Sequence, residues 1–200
     1  MTKNLKFKIK NSQAAFTLIE AVVATSVFAF VIVSILGVYL STLQLDRKFR
    51  AQRVVAENAR FIMSFLAKEV RNGSISYASY ASYPGGLTEN TCFSGLGPCQ
   101  DLYIQNQSNV VERIFFNGTD LVLTKNGAST NLNSAAVRVT NARFAIQPRG
   151  DPYTFAKTYN EQPHVTIVLQ LTSSFGAGGA DTAVFDLETT FTTRDYPPRQ

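Results

Sequence analysis

The 200-residue chain is poor in the residue types that most enzymes and metal proteins use. It has no tryptophan, two cysteines, two methionines and one histidine, His164. A Ser-His-acid or Cys-His site would depend on that one histidine, which follows a proline at the start of a predicted strand. The acidic and cysteine residues also lack the spacing of zinc or calcium ligands. We therefore expect no catalytic residues, no metal and no cofactor.

Charge is absent from residues 21–45, a run of 25 apolar or uncharged polar residues. About 20 such residues suffice for a helix to cross a bilayer. A cleaved secretory signal would have a shorter apolar core and a small-x-small cleavage site, and no such site follows Leu36. Residues 1–15 form a leader with no acid and four lysines: Lys3, Lys6, Lys8 and Lys10. The positive-inside rule places this leader in the cytoplasm and everything after residue 45 outside it.

The net charge of the chain comes mainly from that leader. The whole sequence has a formal charge of +5. Without residues 1–15, fifteen basic residues face fourteen acidic ones, a formal charge of +1. Because no basic stripe remains after the leader, nucleic acid is not an expected partner.

The junction between leader and apolar run reads Ala-Ala-Phe-Thr-Leu-Ile-Glu, from Ala14 to Glu20. This segment resembles the processing site of type IV pilins and type II secretion pseudopilins. The resemblance implies that a prepilin peptidase cuts between Ala15 and Phe16 and methylates the new amine of Phe16. Ala15 stands where the family usually has glycine. The expected partners are therefore the peptidase, the membrane and other pilin or pseudopilin subunits, which pack through the N-terminal helix.

Glu20 is the one acidic residue at the head of the apolar run. A carboxylate at the edge of a membrane segment is costly and indicates a functional role. Cleavage before Phe16 would leave a protonated α-amine, and each charge would offset the desolvation of the other. The resemblance implies that this pair forms between neighbouring subunits and helps to set their register. The alternative is a carboxylate that is simply exposed to lipid headgroups or water.

The helical pattern continues past the apolar run without proline or glycine as far as Asn72, and Gly73 lies at the expected C-terminal cap. We therefore predict one helix from Phe16 to about Asn72, apolar all round in residues 16–45 and amphipathic in residues 46–73. The apolar positions of the second part recur mostly at steps of three and four: Leu45, Phe49, Val55, Ala59, Ile62, Leu66 and Val70. Residues 55–73, with Asn-Ala-Arg and Leu-x-x-Glu-Val-Arg, also resemble minor pilins and the J-type minor pseudopilin.

Residues 74–200 are predicted to form an extracytoplasmic, β-rich part. Strand patterns cover 101–105, 110–116, 121–125, 136–139 and 143–147. Alternating runs at 165–172 and 185–192 predict a long C-terminal hairpin with one apolar and one polar face. The turn of residues 117–120, Asn-Gly-Thr-Asp, is typical of a hairpin. The expected fold class is α+β and pilin-like: a long N-terminal helix packed on an antiparallel β-sheet.

The two cysteines, Cys92 and Cys99, enclose six residues. Outside the cytoplasm two nearby cysteines favour a disulfide, which would close a short loop. Six intervening residues match neither zinc-finger nor Cys-x-x-Cys spacing, so a metal or redox pair is disfavoured. Free thiols remain the alternative.

The sequence as a whole predicts a non-enzymatic minor pilin or pseudopilin that is processed at Phe16 and assembles into, or primes, a type IV pilus. A subunit of a type II secretion or competence pseudopilus is the nearest alternative. A membrane-tethered binding domain that never polymerises is an alternative of another class. An anchored extracytoplasmic enzyme would need the catalytic constellation that the sequence lacks.

Overall fold

The computed structural model describes residues 17–80, 100–153, 161–174 and 182–194. Within them the chain forms one long helix, α1 (Leu18–Asn72), a four-residue helix, α2 (Tyr77–Tyr80), and eight strands. The chain divides into two compact units, one ending at Leu45 and one beginning at Asp46. We call residues 18–45 of α1 the apolar stretch, residues 46–72 the amphipathic stretch, and the unit that begins at Asp46 the C-terminal unit.

The amphipathic stretch buries one face, as its three- and four-residue spacing predicts. The buried positions are Ala51, Val55, Ala59, Ile62, Leu66 and Val70. The prediction was wrong at its start, because Leu45 and Phe49 are 51% and 58% exposed. The buried face begins only at Ala51, since the core of the C-terminal unit covers the helix from there onward.

Five strands pair in chain order in an antiparallel sheet: β1 (Ser74–Ile75), β2 (Asp101–Gln105), β3 (Val111–Phe116), β4 (Leu121–Lys125) and β5 (Ala128–Asn131). The predicted turn at 117–120 joins β3 to β4, with Phe116 opposite Leu121. The Asn117 side-chain oxygen accepts hydrogen bonds from the backbone N–H groups of Thr119 and Asp120, at 2.9 and 2.7 Å. This side chain therefore holds the turn closed.

Three further strands form a second antiparallel sheet in the order β6 (Val137–Gln147), β7 (His164–Ser173) and β8 (Val184–Thr192). The predicted C-terminal hairpin is confirmed as the β7–β8 pair, with Leu169 opposite Leu187. The two short strands predicted at 136–139 and 143–147 are wrong as separate elements. They are one strand, β6, whose register against β7 shifts between Val139 and Asn141. Such a bulge breaks the alternation that identifies a strand in sequence.

The core of the C-terminal unit combines the amphipathic stretch with both sheets. Ile62 and Leu66 of α1 are fully buried together with Ile114 of β3 and Ile167 and Leu169 of β7. The predicted α+β class, with a long helix and antiparallel strands in a pilin-like arrangement, is therefore confirmed. The expected single sheet is replaced by two sheets that share this core.

Gly73 ends α1 for a reason that differs from the expected one. Its φ lies outside the left-handed region, so it is not a left-handed cap. A Cβ placed on Gly73 would instead lie 2.4 Å from the Ile104 side chain and 2.9 Å from the Gln105 carbonyl oxygen. Only a residue without a side chain allows α1 to end this close to β2.

Four residues of the sequence-based predictions, Ala15, Phe16, Cys92 and Cys99, lie outside the described residues. Cleavage and methylation at Ala15–Phe16 and a disulfide between Cys92 and Cys99 therefore stay predictions.

Candidate functional site

The described part of the predicted processing region begins at Thr17, which caps the N-terminus of α1. The Thr17 carbonyl accepts hydrogen bonds from the backbone N–H groups of Glu20 and Ala21, at 3.1 and 3.2 Å. Its hydroxyl accepts a second bond from the Glu20 N–H, at 3.4 Å. The sequence Thr-Leu-Ile-Glu has the Thr-x-x-Glu pattern of a capping box, a signal that the sequence analysis did not use.

Glu20 itself lies in the first turn of α1 and is exposed. A negative charge there is favoured by the positive end of the helix dipole. Among the described residues no cationic group lies within salt-bridge distance of its carboxylate. Glu20 is therefore available to a cation supplied by another chain or by a residue before Thr17.

The apolar stretch that follows Glu20 exposes apolar side chains on every face. All of residues 18–45 are exposed in the single chain, including large side chains such as Phe28, Phe30 and Ile35. An apolar surface of this extent on one helix requires a cover of lipid or of other protein. Of the helices in the described part, α1 alone is long and apolar enough to cross a membrane. By length and composition it fits a single-pass membrane anchor of the type found in pilins.

The hydroxyl groups of the apolar stretch are satisfied within the helix. Thr25 donates to the Ala21 carbonyl at 3.0 Å, Ser26 to the Val23 carbonyl at 2.8 Å, and Ser34 to a carbonyl one turn back at 2.9 Å. This confirms that these polar side chains add no unpaired donor to an apolar environment. Glu20 is then the one charged group of residues 18–45.

In the amphipathic stretch, residues that resemble minor subunits join α1 to the sheets. The Asn58 side-chain oxygen accepts a hydrogen bond from the Ser134 N–H at 3.0 Å, and the Arg71 carbonyl accepts one from the Arg194 N–H at 3.3 Å. Ala59 is buried in the core. Asn58, Ala59 and the Arg71 backbone therefore hold α1 in the C-terminal unit.

A buried carboxylate, Glu112 on β3, lies under the end of the amphipathic stretch. It accepts a hydrogen bond from the Asn106 amide at 2.8 Å, and its Oε1 lies 2.5 Å from the Lys125 Nζ. The Glu112 partner raises the pKa of Lys125. Burial raises the pKa of Glu69 on α1, and the nearby Glu112 charge raises it further.

Residues that could hold a metal ion do not cluster in the described part of the chain. No group of three or more His, Cys, Asp and Glu residues within it could hold a metal ion. His164 begins β7, where its Nδ1 lies 3.4 Å from the Gln162 carbonyl oxygen. In the described part of the chain His164 therefore belongs to no such group.

The comparisons with known proteins match the N-terminal region. Residues 10–36 match the family model of the prokaryotic N-terminal methylation motif. No curated protein and no solved structure matches the chain. The motif spans Ala15, Phe16 and Glu20 and implies processing by a prepilin peptidase and assembly with other pilin subunits. Over these residues, which overlap the apolar stretch of α1, the chain is similar to type IV pilin-like proteins of the prepilin type.

Proposed function

We propose that this protein is a minor pilin that is cut between Ala15 and Phe16, methylated on Phe16 and assembled into, or used to prime, a type IV pilus. The observation that carries the proposal is the methylation motif at residues 10–36, which overlaps a helix stretch, residues 18–45, that is apolar on every face. In this proposal residues 1–15 are the leader, 16–45 the filament-core helix, 46–73 its amphipathic continuation and 74–200 the extracytoplasmic part.

The proposed role of Glu20 is to pair with the Phe16 amine of a neighbouring subunit. Its carboxylate has no cation partner among the described residues and heads a stretch that must be covered. Inside a helical bundle each of these two charges would be costly alone, and pairing offsets that cost. The Glu20 carboxylate and the neighbouring amine come together when the two subunits pack in the correct axial register.

A second candidate is a membrane-tethered domain that does not polymerise. The observation that favours it is the capping contact between the Thr17 hydroxyl and the Glu20 N–H. In that case Glu20 stabilises the start of α1 through the capping box and the helix dipole, and needs no partner chain.

The variant Glu20→Gln separates these two candidates, because glutamine keeps the capping-box side chain and removes the charge. If Glu20 pairs with an amine, the change leaves a buried amine unpaired, at about 3 kcal/mol or more per contact. We expect Glu20→Gln protein to reach the membrane at normal levels and to be absent from sheared filaments or their priming complex. The measurement is immunoblotting of both fractions in cells that contain the assembly machinery.

The matched control is Thr17→Ala, which removes the cap and keeps the charge. Loss of an N-cap costs about 1 kcal/mol of helix stability, so we expect assembly to persist. Normal assembly of Glu20→Gln protein would reject the pairing role. Absence of the unchanged protein from filaments and priming complexes, at normal levels in the membrane, would favour the tethered domain.

A further inference from the structure

A polar cavity of about 430 Å³ lies in the C-terminal unit. It is lined by the end of α1, the start of β1, the end of β2 with the β2–β3 loop, and the second residue after β8. Its two charged lining residues, Arg71 and Arg194, are both cationic. No part of the proposed assembly function uses this cavity.

Both arginines are held by ordered neighbours. The Arg194 N–H donates to the Arg71 carbonyl at 3.3 Å, and the buried Thr193 beside it donates its N–H to the Pro163 carbonyl at 3.0 Å. The Arg71 guanidinium lies 5.9 Å from the ring centroid of Phe191, a cation–π arrangement. Among the described residues neither guanidinium forms a salt bridge, and both arginines are among the residues that line the cavity.

The opposite rim is a preformed loop between β2 and β3. The Asn106 side-chain oxygen accepts hydrogen bonds from the backbone N–H groups of Ser108 and Val110, at 2.9 and 3.0 Å. Asn109 adopts a left-handed conformation, with φ of 59°. The loop presents Gln107 and Asn109 to the cavity rim as amide donors and acceptors. A rim that is already ordered costs little entropy when a ligand binds.

The charges favour a carboxylate over a phosphate. A guanidinium donates to both groups in a two-pronged geometry. The cavity, however, lies at the C-terminal end of α1, where the aligned peptide dipoles give the helix a negative end. That end disfavours a doubly charged phosphate more than a singly charged carboxylate. Backbone carbonyls at that end can accept hydrogen bonds from N–H groups next to the carboxylate.

We propose that this cavity binds the carboxylate of a peptide, at a chain end or on an acidic side chain. The lining amides match the N–H and C=O groups of a peptide. An acidic saccharide is disfavoured because no aromatic residue is among those that line the cavity. The Phe191 ring, which lies beside the Arg71 guanidinium, is not among the lining residues.

The test is a titration of the full chain in detergent micelles, followed by NMR of the arginine Nε–H signals. The probe is acetyl-Gly-Gly with a free carboxylate, and its matched control is the same peptide with an amidated end. We expect the carboxylate to shift the Arg71 and Arg194 signals with millimolar affinity and the amide to bind at least tenfold more weakly. Arg71→Gln and Arg194→Gln should each weaken binding at least tenfold.

Arg60→Gln is the control variant, since Arg60 is exposed on the same helix outside the cavity lining and should bind the probe as the unchanged chain does. Equal binding of the amidated peptide, no shift at all, or equal weakening by Arg60→Gln would overturn the proposal. Tighter binding of inorganic phosphate or glucuronate would overturn its ligand class. None of these results depends on processing or assembly, so this proposal and the proposed function fail separately.

Discussion

The two stretches of α1 belong to one helix and differ in what covers them. The amphipathic stretch buries six small or aliphatic residues on one face and keeps its charges on the others. The apolar stretch, residues 18–45, buries nothing in the single chain and exposes apolar side chains on all faces. The rest of the same chain covers the apolar face of the amphipathic stretch. The apolar stretch needs a membrane or other subunits to cover it.

The largest expected effect comes from truncating the same residue type in each stretch. Leu66 is fully buried and Leu36 is 52% exposed. We expect Leu66→Ala to destabilise the C-terminal unit by about 2–5 kcal/mol, because it leaves a cavity in the core. Leu36→Ala should leave that stability unchanged. Urea unfolding in detergent micelles, followed by tyrosine fluorescence, measures both. Equal losses of stability for the two variants would contradict the conclusion that the C-terminal unit buries Leu66 and leaves Leu36 exposed.

A smaller effect is expected at the two glycines of the helix region. Gly73→Ala brings a Cβ to 2.4 Å from the Ile104 side chain and should cost about 1–3 kcal/mol through overpacking. Gly37→Ala meets nothing within 4 Å and should leave the C-terminal unit as stable as before. The same unfolding measurement compares the two variants. A Gly73→Ala protein of unchanged stability would mean that α1 does not end against β2.

The smallest effect is a pH dependence at Glu69. Burial, with a smaller contribution from the Glu112 charge, raises the pKa of Glu69 above its ordinary value of 4.5, while Lys68 and Lys125 lower it. The folded state therefore binds the proton more tightly than the unfolded state. Stability from this group falls as pH rises from 4.5 through the raised pKa.

Glu69→Gln should remove this dependence and stabilise the protein at pH 7 by about 0.5 kcal/mol or less. The measurement is a series of unfolding curves between pH 4 and pH 8 for both proteins. A steeper loss of stability with rising pH in Glu69→Gln protein would contradict the assignment of this pH dependence to Glu69. Glu188→Gln is a suitable control, because it makes the same substitution at an exposed glutamate that does not contribute to the pKa shift of Glu69.

Local signals in the sequence were sufficient for much of the fold. The strands at 101–105 and 121–125 were predicted with the bounds that the structure gives them. The alternation in β7 correctly identified its buried face, which includes Ile167 and Leu169. These elements have simple periodicity because each packs one face on a single core.

Other elements were missed for identifiable reasons. The β4–β5 turn is formed by Asn126 and Gly127, both with positive φ, and Asn-Gly was a readable hairpin signal that was not used. The strand after it, β5, is exposed throughout, so it lacks the alternation that identifies a strand. The bulge at Val139–Asn141 divided β6 into two apparent strands. The two-residue β1 and the four-residue α2 depend on tertiary contacts rather than on sequence pattern.

The two candidate sites, at Glu20 and at the cavity, also differ in whether a local sequence signal predicts them. Glu20 was predicted because a lone carboxylate beside 25 uncharged residues is a local signal. Its proposed partner belongs to another chain, so neither the sequence nor a single-chain structure contains that contact. The cavity between Arg71 and Arg194 was not predicted, because its lining residues are up to 123 positions apart in sequence and are joined only by the fold.

The most direct test of the central claim is the N-terminal sequence and mass of the protein from cells with and without the prepilin peptidase. The account predicts a chain that begins at N-methylated Phe16 in the presence of the peptidase and an uncut chain in its absence. A chain that begins at Met1 in both strains would contradict it, because the amine that Glu20 is proposed to meet would never form.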